Sequence, residues 1–277
     1  MNKILPRRVK VMGQRFLAAL GVSAIPIGIL APLSPNWWEG KWWLVFFVGM
    51  AAAAWASLGL RRRPIQQTYP ENVTIRLVVG DLFDQKASVV IGMTATFDTS
   101  VPDVIARNSL QGNFLYKVYD GSQHQLDQDL DQALASVDSV GTINKVGKQT
   151  VYPIGTVATL SPPGSIRYYC AAYTTMNMQN KATGTIRGML DSLDECWNQA
   201  DVHGNGAPIC VPLIGQGQSR IPELTPEISV RLIAFSFLLR TKRSRFSREL
   251  RIVIHPDEQS KVNLPEFQAF LTSLVAA

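Results

Sequence analysis

Two uncharged apolar runs near the N-terminus set the first limit on how this chain can fold. No charged residue lies between Arg15 and Glu39; residues 16–33 are apolar enough to cross a hydrocarbon core despite Pro26 and Pro32, and residues 42–60 form a second uncharged run of 19 residues. The connector SPNWWEGK separates them, so if both insert they form a hairpin of membrane helices. Trp37, Trp38, Trp42 and Trp43 then fall at the depth that aromatic belts favour. Lys3, Arg7, Arg8, Lys10 and Arg15 precede the first run, Arg61, Arg62 and Arg63 follow the second, and the connector holds only Glu39 and Lys41. Positive charge stays inside, which predicts two transmembrane helices with both termini cytoplasmic. A signal peptide is the competing reading of the first run, but the second run and its three arginines would still stop transfer. Two buried helices of a soluble protein fit less well, because neither run has a polar face. Gly49, Ala53 and Ala56 form a ridge of small residues suited to close helix packing, within the hairpin or between subunits.

This division changes the meaning of the charge. The formal net charge is +6, yet residues 1–63 carry nine basic residues against one acidic, and the rest of the chain carries 18 against 20. A basic nucleic-acid-binding domain is therefore disfavoured, and no nucleic-acid partner is expected. Cys170, Cys196 and Cys210 are odd in number and set in apolar sequence, which reads as reduced core thiols. Neither they nor His124, His203 and His255 show metal-ligand spacing, so no metal site is expected.

Residues 64–72 read as a polar linker with two prolines, and beyond them strands alternate with helices. Strands are expected at 73–79, 88–93, 151–157, 167–175, 209–213 and 250–254. A short acidic helix is expected at 129–137. In 182–200, Ile186, Met189, Leu190, Leu193, Cys196 and Trp197 recur three and four apart, predicting an amphipathic helix. Thr225 and Pro226 suit the cap and first turn of another. Asn263 with Glu266 resembles a capping box opening a final helix. The alternation over about 200 residues predicts an α/β domain of three layers, α/β/α.

In such folds ligands bind at the carboxyl ends of the strands, and two loops there stand out. Gly80, Asp81 and Leu82 follow one strand; a carboxylate at that place can accept a hydrogen bond from an exocyclic amine, or it can cap a turn. Gly215, Gln216, Gly217, Gln218, Ser219 and Arg220 follow another, with small residues at alternate positions, a pattern that lets backbone N–H groups close on an anion or simply makes a tight turn. Arg220 would add charge to a phosphate or lie on the surface. Between the two loops in sequence, TATFDTS leaves the strand at 88–93.

In this order these residues resemble the macrodomain family, whose members bind ADP-ribose. Gly80, Asp81 and Leu82 match its Gly-Asp-Ile or Gly-Asp-Leu, where the Asp contacts the adenine amine. Pro212, Ile214, Gly215 and Gly217 match the Pro-x-Ile-Gly-x-Gly of its diphosphate loop. The resemblance implies that Asp81 and Leu82 hold adenine, that Gly215, Gln216, Gly217, Gln218, Ser219 and Arg220 hold the diphosphate, and that Phe97, Asp98 and Thr99 face the distal ribose and the group attached there. Phe97 can equally belong to the core. Asp98 would need a cationic or hydroxyl partner, which an imidazole or amino group on the ligand would supply.

Family hydrolases carry an Asn-rich segment where this chain reads GMTATFD, so ligand sensing is expected rather than catalysis; no catalytic residue is assigned. A membrane-anchored ADP-ribosyl hydrolase and a passive anchor, the latter suggested by Arg240, Lys242, Arg243, Arg245 and Arg248, are the alternatives.

The whole chain is similar to the transmembrane-macro effectors of type II Thoeris antiphage systems. That similarity implies a bacterial inner-membrane protein whose domain at 73–277 binds a histidine conjugate of ADP-ribose. A partner TIR-domain enzyme would make it from NAD, with no direct contact between the two proteins required. Homo-oligomerisation, disruption of membrane lipids and abortive infection would follow.

Overall fold

The structure is a computed structural model that describes Trp43, Phe47, Met50 and residues 64–162, 166–217 and 221–275. The two apolar runs, the ridge of small residues and the basic flanks lie outside the described residues, apart from Trp43, Phe47 and Met50. These three are helical and exposed, and the rings of Trp43 and Phe47 meet edge to face at 6.0 Å. No helix among the described residues is long and apolar enough to cross a membrane.

Pro64–Ala277 is a compact unit built on one eight-stranded sheet. Its strands are β1 (Ile65–Tyr69), β2 (Val73–Val79), β3 (Ser88–Thr94), β6 (Val157–Leu160), β7 (Tyr168–Met176), β8 (Ala182–Gly184), β9 (Ile209–Pro212) and β10 (Glu249–Ile254). β4 (Gly141–Thr142) and β5 (Thr150–Val151) pair as a separate hairpin. The order across the sheet is β1-β2-β10-β9-β3-β7-β6, with β8 beside β7. β2, β10, β9, β3 and β7 run parallel, and the outer strands pair antiparallel to them.

Parallel strands are buried on both faces, which explains their continuous apolar runs. On one face Ile75, Leu77, Val211 and Ile252 pack against α3 (Ile186–His203), α4 (Pro226–Arg243) and α5 (Leu264–Ser273). On the other, Val89, Ile91, Met93 and Cys170 pack against α1 (Leu110–Val118) and α2 (Gln123–Leu134). The three-layer arrangement expected from the alternation is present.

Local chemistry starts the helices. Thr185 accepts the Gly188 N–H at 3.0 Å to open α3, and Thr225 accepts the Ile228 N–H at 3.3 Å with Pro226 in the first turn of α4. Trp197 of α3 meets Phe237 of α4 edge to face at 5.4 Å and Phe246 at 5.8 Å, joining the two helices by their rings.

Several expectations need correcting. The segment read as linker holds β1, an edge strand between Pro64 and Pro70; its polar IQQTY alternation suits an edge, and Tyr69 is anchored by donating to Leu271 O at 2.9 Å. Residues 151–157 are not one strand: Val151 ends β5 and Val157 begins β6, with Pro153 between. The helix expected at 182–200 begins only after β8 and the Thr185 cap. The acidic helix spans Gln123–Leu134, and α1 was not foreseen. Asn263 makes no side-chain cap; its amide donates instead to Glu266 at 3.1 Å.

Phe237→Ala removes a ring that is fully buried between two others. It is expected to cost about 3–5 kcal/mol, read by urea unfolding of a 64–277 fragment in which Trp197 is the sole tryptophan.

Candidate functional site

All five parallel strands end on one edge, where they open into a cavity of about 970 Å³. This is where a parallel sheet leaves its backbone groups and following loops free to meet a ligand. Gly80 to Phe83 follow β2, His255 follows β10, Leu213 to Gly217 follow β9, and Thr94 and Tyr173 contribute from β3 and β7. The sheet thus brings Asp81 and Leu82 to the same cavity as Gly215, Gln216 and Gly217, more than a hundred positions later in sequence.

Asp81 caps a short 3₁₀ turn, Leu82–Asp84, by accepting the Phe83 N–H at 2.9 Å, and it pairs with the Lys117 ammonium of α1. The capping and site readings of Asp81 are therefore compatible. Burial alone would push its carboxyl up, but the Lys117 ammonium and the Phe83 N–H outweigh that and hold it below the usual carboxylate range.

Gly215 is the residue that shapes the second loop. Its φ is +76°, and a Cβ there would lie 2.9 Å from Leu224 and 3.1 Å from Ile221, so both the backbone and the packing require glycine. A Cβ at Gly217 would meet nothing within 4 Å. Gln216 turns its amide away to donate to Leu224 O at 2.8 Å, holding the loop closed on itself. Gln218, Ser219 and Arg220 lie outside the described residues.

Phe97, Asp98 and Thr99 do not line this cavity. Phe97 is fully buried with φ +49° and packs edge to face on Tyr152 at 5.6 Å, which makes it core. Asp98 already has its cation within the chain: Lys145 Nζ stands 2.9 and 2.8 Å from its two oxygens, both side chains fully buried. The Lys148 N–H at 2.8 Å and the Thr96 hydroxyl also donate to it. A carboxylate that accepts four hydrogen bonds has no capacity left for a ligand. Thr99 donates to Asp127 at 2.6 Å. The loop carrying Lys145 comes so close that a Cβ at Gly147, where φ is +90°, would lie 2.4 Å from Asp98 Oδ1.

What faces the cavity near β3 and β7 instead is Thr94, Tyr173, Gln111 and Asn180. Thr96 gives its proton to Asp98, so the 3.0 Å contact between Thr94 and Thr96 makes Thr94 the donor, leaving its lone pairs for the cavity. Gln111 Nε2 and Asn180 Oδ1 are buried with no hydrogen-bond partner. A buried polar atom without a partner costs stability, and a ligand offering one acceptor and one donor would recover that cost. These residues were missed in sequence, although Leu110, Phe114, Leu115 and Val118 carried a helical spacing that placed Gln111 on α1.

None of the three cysteines lines the cavity. All three cysteines are buried in the core, and burial pushes each thiol up, Cys210 to about 12. Among the described residues no group of His, Cys, Asp and Glu could hold a metal ion.

A family profile described as "Thoeris protein ThsA, Macro domain" matches residues 75–255. The fold is similar to that of the Oceanobacillus iheyensis macrodomain with ADP, at TM-score 0.52 and 11% identity over 78% of this chain and 99% of that one. A mutant of the same macrodomain with ADPR gives TM-score 0.51 and 11% identity over 78% and 100%. No curated protein sequence matches the chain.

Removing Lys145 strands a buried carboxylate. Lys145→Met is expected to cost about 3–5 kcal/mol in urea unfolding, and adding Asp98→Asn to recover part of the loss. A ligand role for Asp98 with a merely peripheral Lys145 predicts instead a single variant of unchanged stability.

Proposed function

The chain belongs to the Thoeris protein ThsA, Macro domain family, and from that membership we propose that its cavity binds an ADP-ribose-type nucleotide as a signal. The observation that carries this reading is that Asp81 and the Gly215 turn border one cavity at the carboxyl edge of the sheet. Asp81 accepts the adenine amine, and the N–H groups of residues 215–217 approach the diphosphate. The distal ribose and the group attached to it then lie toward Thr94, Tyr173, Gln111 and Asn180, in place of Phe97, Asp98 and Thr99. The match of residues 75–255 to the Thoeris macro-domain family, with the apolar N-terminal runs before it, supports histidine as that attached group and a TIR-domain enzyme as its source, acting on NAD.

In this reading the protein is a sensor. The stretch GMTATFD at 92–98 carries no asparagine, and its one carboxylate, Asp98, is fully engaged. Residues 1–63 form a two-helix hairpin in the bacterial inner membrane, with both termini in the cytoplasm. Binding favours an assembled state of several copies, in which hairpins packed through Gly49, Ala53 and Ala56 disrupt the bilayer and arrest the infected cell. For this the signal must bind one assembly state better than the other, and a tenfold preference shifts the equilibrium by about 1.4 kcal/mol.

Calorimetry of the detergent-solubilised chain with ADP-ribose and its histidine conjugate tests the assignment. Asp81→Ala and Gly215→Val are each expected to weaken binding at least tenfold, the latter through strain at φ +76°. Because the Asp81 carboxyl is held below the usual carboxylate range, its contribution to binding is expected to persist through neutral pH and to be lost only on acidification below that range, read as the difference between the parent and Asp81→Ala. Binding within error of the parent in both variants would misplace the pocket, and steady release of ADP-ribose from a modified protein would replace the sensor with a hydrolase.

A further inference from the structure

The side of α4 that faces away from the core is apolar as well. Ile228, Phe235 and Leu239 are 40%, 43% and 48% exposed and fall within about 40° of one another around the helix; half-buried Leu232 lies beside them and also packs against the core. Val230, Ile233, Phe237 and Leu238 fill the opposite side, which belongs to the core. Scattered exposed apolar residues need no explanation, but three in line along three turns, with Leu232 partly open between them, form a continuous strip. Its C-terminal end is basic. Lys242 and Arg243 border it on either side, Arg245 and Arg248 follow, and all four are exposed and form no ion pair among the described residues. Arg240 alone is paired, with Asp201 at 2.8 Å, and residues 240–248 contain no acidic side chain.

We propose that this strip, with its basic end, docks flat on a bilayer surface that carries anionic headgroups. An aromatic and aliphatic stripe flanked by Lys and Arg is the pattern of a helix lying in the membrane interface: the apolar side chains enter the acyl boundary while the cations remain among the headgroups. A second copy packed antiparallel on the same strip would set Lys242 and Arg243 beside the Glu227 end of its helix and is an outcome the test separates, whereas an anionic lipid surface is complementary to all four cations at once, Arg245 and Arg248 included. The proposal rests on the membrane reading of residues 1–63 only for bringing a bilayer within reach; the strip itself is built from described residues.

Because the three native cysteines are buried, Leu239→Cys takes a thiol-reactive, polarity-sensitive fluorophore selectively. The full chain would be placed, one copy per disc, in nanodiscs of phosphatidylcholine alone or mixed with phosphatidylglycerol that carries spin-labelled acyl chains. The expected result is a blue shift and quenching in the mixed discs, weak in neutral discs and reduced at least threefold by Lys242→Glu with Arg243→Glu. A water-like emission in both lipids, or quenching indifferent to the charge reversal, would overturn the proposal. So would a blue shift that needs two copies per disc, which points to self-association, or one that needs an added acidic protein. A second label at Met50→Cys separates the two readings: Met50 quenched with position 239 unquenched defeats the docking proposal alone. If Met50 stays unquenched the hairpin fails, and cosedimentation of the chain with phosphatidylglycerol vesicles, again compared with the charge-reversed variant, still decides the docking.

Discussion

The arrangement of the unit Pro64–Ala277 follows from five parallel strands that must be covered on both faces. Such a sheet has no solvated side, so helices from either end of the sequence close over it, and its only accessible backbone is at the strand ends. The cavity therefore lies on that edge, and the residues that define it come from β2, β3, β7, β9 and β10 rather than from one contiguous stretch. Burial of the sheet and availability of the site are two aspects of one arrangement.

Two carboxylates, one bordering the cavity and one buried behind it, sit in unlike surroundings. Asp81 is partly exposed and shares one turn N–H and one lysine, which keeps it ionised and accessible. Asp98 is neutralised in the interior by Lys145, and that pair ties the loop between β4 and β5 to the strand end that carries Thr94. A chain of hydroxyls, Thr94 to Thr96 to Asp98, connects the cavity wall to this buried ion pair. The first carboxylate borders the cavity and the second ties the loop behind it in place.

What was legible in the sequence was what buried parallel structure forces into a local pattern. The apolar runs of β2, β3, β9 and β10, the three-and-four spacing of α3 and the Thr225-Pro226 start of α4 all appear in the structure. Asp81 and Gly215, which border the cavity, were singled out because a strand end followed by a small residue is a local signal. β1 was lost because an edge strand needs no apolar run, and β8 because three residues are too few to show a period. Asp98 was misplaced for a different reason: its partner lies 47 residues away, and no local pattern announces a lysine that folds back to bury itself. Its buried partner, and not the ligand, answers the question of what neutralises it.

The central claim, that a nucleotide lies along the carboxyl edge of the sheet from the Asp81 turn to the Gly215 loop, is tested most directly by hydrogen–deuterium exchange of the full chain with and without saturating ADP-ribose. The account predicts protection confined to the backbone of residues 80–83, 213–217 and the first turn of α1. Protection elsewhere with these segments unchanged would contradict it.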